Sequence, residues 1–531
     1  MTSLSADSKR ALSRQLVVTR RLQSIRFTWL AGAAAHAILA LTTMSAMAAL
    51  ILSMAAGQAF AQDLPDSDLD DLMGGFEDDF DDDFDATEIG ERDDAIPTWL
   101  ARLPFGEWIA EQVDLSGSIG TGVEYSYLDH DAPHGDEVGR RTDYQGLTRL
   151  DLDGFLQLDV RLPYRWLFRA EALGWYDFSY RINGRDDYGG AVLDVYEWQV
   201  DSGEVYLSGP LSRKVDVTLG RKIVNWGRSD TFRVVDLINP LDNKEPGLVD
   251  IEDLRRPRMM AKIDAASGPW SAQLLVIPES RFDRNPPCGS DFFPLSGTRP
   301  PGCPGIRIDD NRSDFDTSPG VAGKLDGRFS GWDISLYGAY IDEPNRVIDI
   351  RPTGAFAEAN RFGLLGAAGN WTRGPILLKI EMAWLSDIRV LRSQRGNPIP
   401  FSVDKDRIDT MVGIEYYGRD SLTIALEIVN RHLLNEPSGQ STLPRSDTSR
   451  FESALRITRP FFRERLNVTA LAIGFGERLQ NGGLVRFSGD YEIADAWRAE
   501  GGIIIYIGGP DDGIGAFDSN DRLYGQIKYS F

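Results

Sequence analysis

The sequence is poor in the residues that most active-site chemistry needs. Only two of its 531 residues are cysteine and four are histidine, which excludes a disulfide-built scaffold and a thiol- or imidazole-rich metal centre. His36 falls in the leader, His130 and His134 in one long connector and His432 at a strand end. None stands beside a marked nucleophile, so no catalytic residue, cofactor or metal is expected. Basic residues are in the minority, 57 against 80 acidic ones, and that balance opposes attraction to nucleic-acid phosphates. Beyond the N-terminal region no segment approaches the ~20 apolar residues of a membrane helix, and the mean hydropathy is negative. No Ser/Gly- or Pro-rich linker divides 113–531, as a string of small domains would require.

The N-terminus has the layout of an export signal. Lys9, Arg10, Arg14, Arg20, Arg21 and Arg26 precede an apolar run from about Phe27 to Ala56, and Ala59-Phe60-Ala61 supplies the small-x-small site. Residues 1–61 therefore read as a signal peptide cut near Ala61; a retained anchor is the alternative. Its removal leaves 51 basic against 79 acidic residues, a formal charge of −28. Residues 62–95 form an acidic tail with sixteen Asp or Glu between Asp63 and Asp94, expected to be disordered and periplasmic. Within it Leu69, Leu72, Phe76, Phe80 and Phe84 recur at helical spacing, which suits either a peptide docking on a basic periplasmic partner or a solvated spacer. Residues 96–112 carry Trp99, Leu100, Leu103, Phe105, Trp108 and Ile109 and read as a short amphipathic segment.

From Val113 to Phe531 the pattern changes to period two. About eighteen such segments (range 16–20) are separated by connectors that alternate between short and long, the rhythm of a closed antiparallel transmembrane β-barrel with tight periplasmic turns and long outward loops. Within 147–162 and 166–182 one row is neutral and largely apolar. The other holds Arg149, Asp151, Asp153, Asp159 and Arg161, then Arg169 and Glu171, and is expected to line a wet lumen. Short joints are expected at 163–165, Gly209-Pro210, Gly268-Pro269, Gly331, 373–375, Gly418-Arg419 and 494–496. Long loops are expected at 129–146, 183–194, 227–256, 279–318, 342–360, 387–406, 433–449 and 508–520. The last residues, Leu523, Gly525, Ile527, Tyr529 and Phe531, share one face, the form of an assembly signal read by the barrel assembly machinery. Outer-membrane lipid is then the solvent of the outer face.

Cys288 and Cys303 fall in one outward loop, and in an exported protein a disulfide closing that loop is expected. The most distinctive stretch is the connector after Gly220. It places Arg221, Arg228, Asp230, Arg233, Asp236, Asp242, Lys244, Glu245, Asp250, Glu252, Asp253, Arg255, Arg256 and Arg258 in one short length of chain. Folded into the lumen, these charges would narrow a pore and select solutes; folded outward, they would make a salt-bridged loop on the rim. Trp226 reads as an interfacial girdle residue.

This stretch, Gly220-Arg221 to Trp226-Gly227 followed by Ile238-Asn239-Pro240-Leu241-Asp242, resembles a domain-of-unknown-function family of proteobacterial outer-membrane β-barrel proteins over roughly 205–260. The resemblance implies an outer-membrane location and partnership with RND-type exporters, hence passage of hydrophobic or amphiphilic molecules. The residues themselves point to a porin-like channel for small solutes. The competing expectation is a non-conducting envelope scaffold that docks a periplasmic partner through its acidic tail.

Overall fold

A computed structural model describes residues 112–134, 136–137, 139–293, 306–308, 315–351, 354–394, 397–434, 448–509 and 514–531. The expectations for the signal, the acidic tail with Leu69, Leu72, Phe76, Phe80 and Phe84, and the amphipathic segment up to 111 lie outside the described residues.

The period-two segments become eighteen strands: β1 (Val113–Ser126), β2 (Gly146–Leu162), β3 (Trp166–Asp177), β4 (Trp198–Ser212), β5 (Val215–Lys222), β6 (Arg258–Ser267), β7 (Trp270–Glu279), β8 (Phe315–Phe329), β9 (Trp332–Asp342), β10 (Arg361–Arg373), β11 (Ile376–Gln394), β12 (Asn397–Tyr417), β13 (Thr423–Leu433), β14 (Ser449–Phe461), β15 (Leu466–Phe475), β16 (Gly483–Ala494), β17 (Trp497–Ile507) and β18 (Arg522–Ser530). Each is antiparallel to the next, and the cylinder closes because β1 pairs on both sides. Val113 faces Val160 on β2, and Ser118 faces Ser530 on β18. Closure leaves the sheet without an edge, the condition for strands that cross a membrane.

The wall is apolar outside and polar inside. On β1, Leu115, Ile119, Val123 and Tyr125 are exposed, whereas Ser118, Glu124 and Ser126 are buried. On β11, Ile380, Met382 and Trp384 are exposed while Lys379 and Glu381 are buried. A water-soluble sheet would show the reverse, so the exposed row is the lipid-facing belt of a transmembrane barrel.

Short and long connections alternate as the pattern requires, with two departures. The chain does not turn at Gly209-Pro210, where Gly209 faces Val217 and Pro210 faces Asp216; the joint falls at Arg213-Lys214 after a bulge. Proline is tolerated there because the ladder is already irregular. Nor is 387–406 a loop. The strands β11 and β12 stay paired as far as Gln394 and Asn397, with bulges beyond Leu385 and Arg392. The charges that make this stretch look like a loop pair across the hairpin instead, Arg389 with Asp404 at 3.2 Å.

At the long-loop end the connectors pack on one another. Helices α1 (Ser179–Asn183) and α2 (Gly190–Tyr196) bring Tyr180, Val192, Leu193 and Tyr196 against Ala132, Tyr144 and Tyr188. The Tyr144 hydroxyl donates to the Gly289 carbonyl at 2.6 Å, tying the first outward connector to the fourth. His130 and His134 are buried in this cap rather than solvated, their Nε2 atoms 3.0 Å and 3.2 Å from the carbonyls of Asp291 and Asp186. No metal-ligating cluster occurs among the described residues. Cys288 lies in this region, and Cys303 falls outside the described residues.

Candidate functional site

The connector between β5 and β6, residues 223–257, turns inward and occupies part of the lumen. Val224, Trp226, Phe232, Val234, Val235 and Ile238 are buried against inward-facing residues that run round the wall from Met260 on β6, past Tyr337 on β9 and Leu385 on β11, to Ala454 on β14. Trp226 is 2 % exposed. Its ring lies 5.3 Å from that of Tyr337 and its indole N–H donates to Gln273 at 2.8 Å. It is therefore part of the connector's seat, not an interfacial girdle residue: a ring that fills a gap between loop and wall is shielded from lipid by the barrel itself. The rim position weighed from sequence is likewise excluded.

Two glycines and one asparagine make this descent possible. Gly220 has φ +138°, and a Cβ there would meet the Val205 carbonyl oxygen at 2.2 Å. Gly227 has φ +94°, with Glu381 Oε1 3.0 Å from where a Cβ would stand, a conformation that costs an L side chain of the order of 1–2 kcal/mol. Asn239 is fully buried. Its Oδ1 accepts from the Val224 N–H at 2.8 Å, and its Nδ2 donates to the carbonyls of Lys222 and Arg256 at 3.3 and 2.9 Å, pinning the two ends of the connector together.

Wall carboxylates hold the tip. Glu381 accepts the backbone N–H groups of Arg228 and of Ser229, the latter at 2.8 Å. Glu427 accepts from Ser229 Oγ at 2.7 Å and from the N–H groups of Asp230 and Thr231 at 2.9 and 3.2 Å. Arg228 reaches Asp333 and Ser335 at 2.7 Å each, and Lys379 holds Asp230 at 2.9 Å. Asp333 is the second residue of β9 at its short-turn end, so the tip penetrates far into the barrel. Further along, Asp250 binds Arg456 at 2.9 Å and also Arg486. Hydrogen bonds to charged partners are worth about 1.5–3 kcal/mol each, so several together fix the connector against thermal motion.

Residues 30–531 match the family described as Protein of unknown function (DUF1302). The chain belongs to this family. No curated protein matches it. Among solved structures, the DUF1302 chain is similar to OccK9 (OpdG) of Pseudomonas aeruginosa at 12% identity and TM-score 0.42, covering 79% of this chain and 98% of that one. It is similar to the outer membrane protein OpdK of the same organism at 10% identity and TM-score 0.44, covering 79% and 99%. It is similar, too, to the outer membrane channel DcaP of Acinetobacter baumannii at 9% identity and TM-score 0.38, covering 79% and 97%.

The residues expected to line the lumen make the following contacts. Arg149 bonds Asp151 and Glu124 on the lumen side and reaches Glu245 of the connector at 3.3 Å. Asp159 is gripped by both Nε and Nη2 of Arg169 at 2.8 and 2.9 Å. Glu171 accepts the Glu204 N–H at 2.8 Å, and Asp153 accepts from Gln526 at 3.0 Å. Arg161 is exposed near the short-turn end.

Of the connector charges, Arg221 pairs with Glu279, Asp236 with Arg255 at 2.9 Å, and Asp242 with Arg284 at 3.0 Å. Arg233 donates to the carbonyls of Asp236 and Asn239 and is spent on the connector's own fold. Glu252 and Asp253 are not engaged in this way; both keep exposed surface, and partial burial inside the barrel followed by neighbouring carboxylates raises the pKa of both. Burial works against Asp250 as well, yet Arg486 and Arg456 outweigh it and hold Asp250 below the ordinary carboxylate range.

Sequence reasoning missed the wall partners Glu381, Glu427, Lys379, Arg456 and Arg486. Each sits on an inward row, and period two alone marks them as lumen-facing. Which connector they meet depends on closure of the barrel.

Where the connector leaves the wall of β1 to β3, a cavity of about 220 Å³ remains at the long-loop end. Burial first, then the charge of Glu124, pushes Glu245 up to about 7 in spite of Arg149, and burial lowers the Lys244 ammonium.

Proposed function

We propose that the protein is an outer-membrane channel of porin type, in which the lumen passes small solutes and the connector 223–257 sets its width and charge. The observation that carries this reading is the connector itself. It is held inside a cylinder of eighteen strands, a size that commonly leaves an aqueous channel, and it presents both signs of charge to whatever enters. A constriction of this kind selects by field and size. Arg149, Asp151, Asp153, Asp159, Arg161, Arg169 and Glu171 line the path in this reading, and Glu252 and Asp253 face it from the connector. The N-terminal signal, the outer-membrane location, a Cys288–Cys303 disulfide and a periplasmic partner such as an RND-type exporter belong to the same proposal.

Planar-bilayer recording of the purified barrel tests it. Stepwise conductance that grows on deletion of 240–250 supports a channel restricted by the connector. A silent barrel that still captures a periplasmic partner through residues 62–95 supports the scaffold instead.

A further inference from the structure

The cavity at the long-loop end has a composition that specifies a ligand. Its wall strands contribute Glu124, Asp151 and Asp177, the connector contributes Asp242, Glu245 and Asp253, and the cap contributes Asp291. Against these seven carboxyl groups stand three cationic side chains, Arg149, Lys244 and Arg522. Arg284, reaching Asp242 from outside, makes a fourth.

Most of the remaining lining is aromatic, with Thr148, Val249 and Leu254 beside it. Trp175 and Tyr196 carry between them the Lys244 ammonium, 4.0 Å from the centre of the indole and 5.8 Å from that of the phenol. Lys244 thus occupies, from within the chain, a place built for a cation over π faces. Its tether is short: the backbone carbonyl of Lys244 accepts the Tyr196 hydroxyl at 2.8 Å, so the side chain can leave the ring while the connector stays in place.

We propose that this cavity binds a small arylalkyl ammonium ion, whose charged group takes the place of Lys244 over Trp175 among the surplus carboxylates. The volume fits the class, since a cavity of about 150 Å³ accommodates benzene and this one is somewhat larger. The surplus of carboxylates rejects the corresponding carboxylate ligand. The inference deepens the channel reading by naming a solute class, and it rests on that reading only in treating the ligand as something that passes.

Titration calorimetry on the folded full chain in detergent tests it, with phenethylammonium chloride as probe and phenylacetate and phenethyl alcohol as controls of matching size. Phenethylammonium binds and the controls do not. Trp175→Leu weakens binding about two- to thirtyfold and Trp175→Phe by less. Lys244→Met tightens it about three- to tenfold, because the internal competitor is gone. Binding seen only in Lys244→Met also supports the site. Equal binding of phenylacetate or phenethyl alcohol, or no binding of phenethylammonium to either the wild type or Lys244→Met, overturns it. Bilayer recording keeps the two claims apart. A silent barrel that binds phenethylammonium retains the site and loses the channel; a conducting barrel with no binding does the opposite.

Discussion

Glu245 sits where opposing influences meet: removal from water, the like charge of Glu124 and the attraction of Arg149 and Lys244. Its pKa of about 7 lies above the 4.5 of a solvated glutamic acid, so the folded chain keeps a proton that the unfolded chain has already released. The resulting stabilisation is complete below about pH 4.5 and is lost as pH rises through about 7. Glu245→Gln, which mimics the protonated form, is therefore expected to flatten the fall in urea midpoint that the wild type shows between about pH 5 and pH 8. An unchanged slope in the variant would contradict the assignment. Glu427 gives a second case at this scale. Glu427→Ala strands three donors of the connector tip, a loss of about 3–5 kcal/mol of local anchoring. Single-barrel currents of the variant should be noisier and larger, while the barrel itself remains folded by circular dichroism.

At the scale of the element, strands were legible and their inner contacts were not. Alternation along 147–162 separates Leu150, Leu152 and Leu156 from Arg149, Asp151 and Asp153, because a half-wet strand can satisfy lipid and water only in alternate rows. The same logic fails for 223–257, where apolar and charged residues mix without period: Val234 and Val235 are both buried, as adjacent residues of a strand facing lipid and water would not be. Charge likewise disguised the top of β11 and β12 as a loop. Turn strain offers a test here. Tyr164, in the turn between β2 and β3, holds φ 65° and is 89 % exposed, so Tyr164→Gly relieves a left-handed residue without removing a contact. A gain of about 0.5–1 kcal/mol in urea unfolding is expected; a loss would mean that the ring has a role outside the turn.

The whole molecule depends on a seam and on what fills the cylinder. Phe531 closes the seam, exchanging backbone hydrogen bonds with Gly117 at 2.9 Å in both directions. Its ring lies where a Cβ on Gly117 would stand, 2.9 Å from the nearest ring carbon. Deletion of Phe531 should slow insertion into liposomes several-fold and lower the yield of the heat-modifiable folded form, and unchanged assembly would show that the seam forms without it.

The filling is tested by chemistry on Glu252, which is exposed on the connector within the lumen. In a Cys288→Ser, Cys303→Ser background, Glu252→Cys is treated with a sulfonated thiol reagent during single-barrel recording. A stepwise fall in current on modification is the result expected if the inward connector borders the path of solute. Full modification, proved by mass, with no change in current would contradict it.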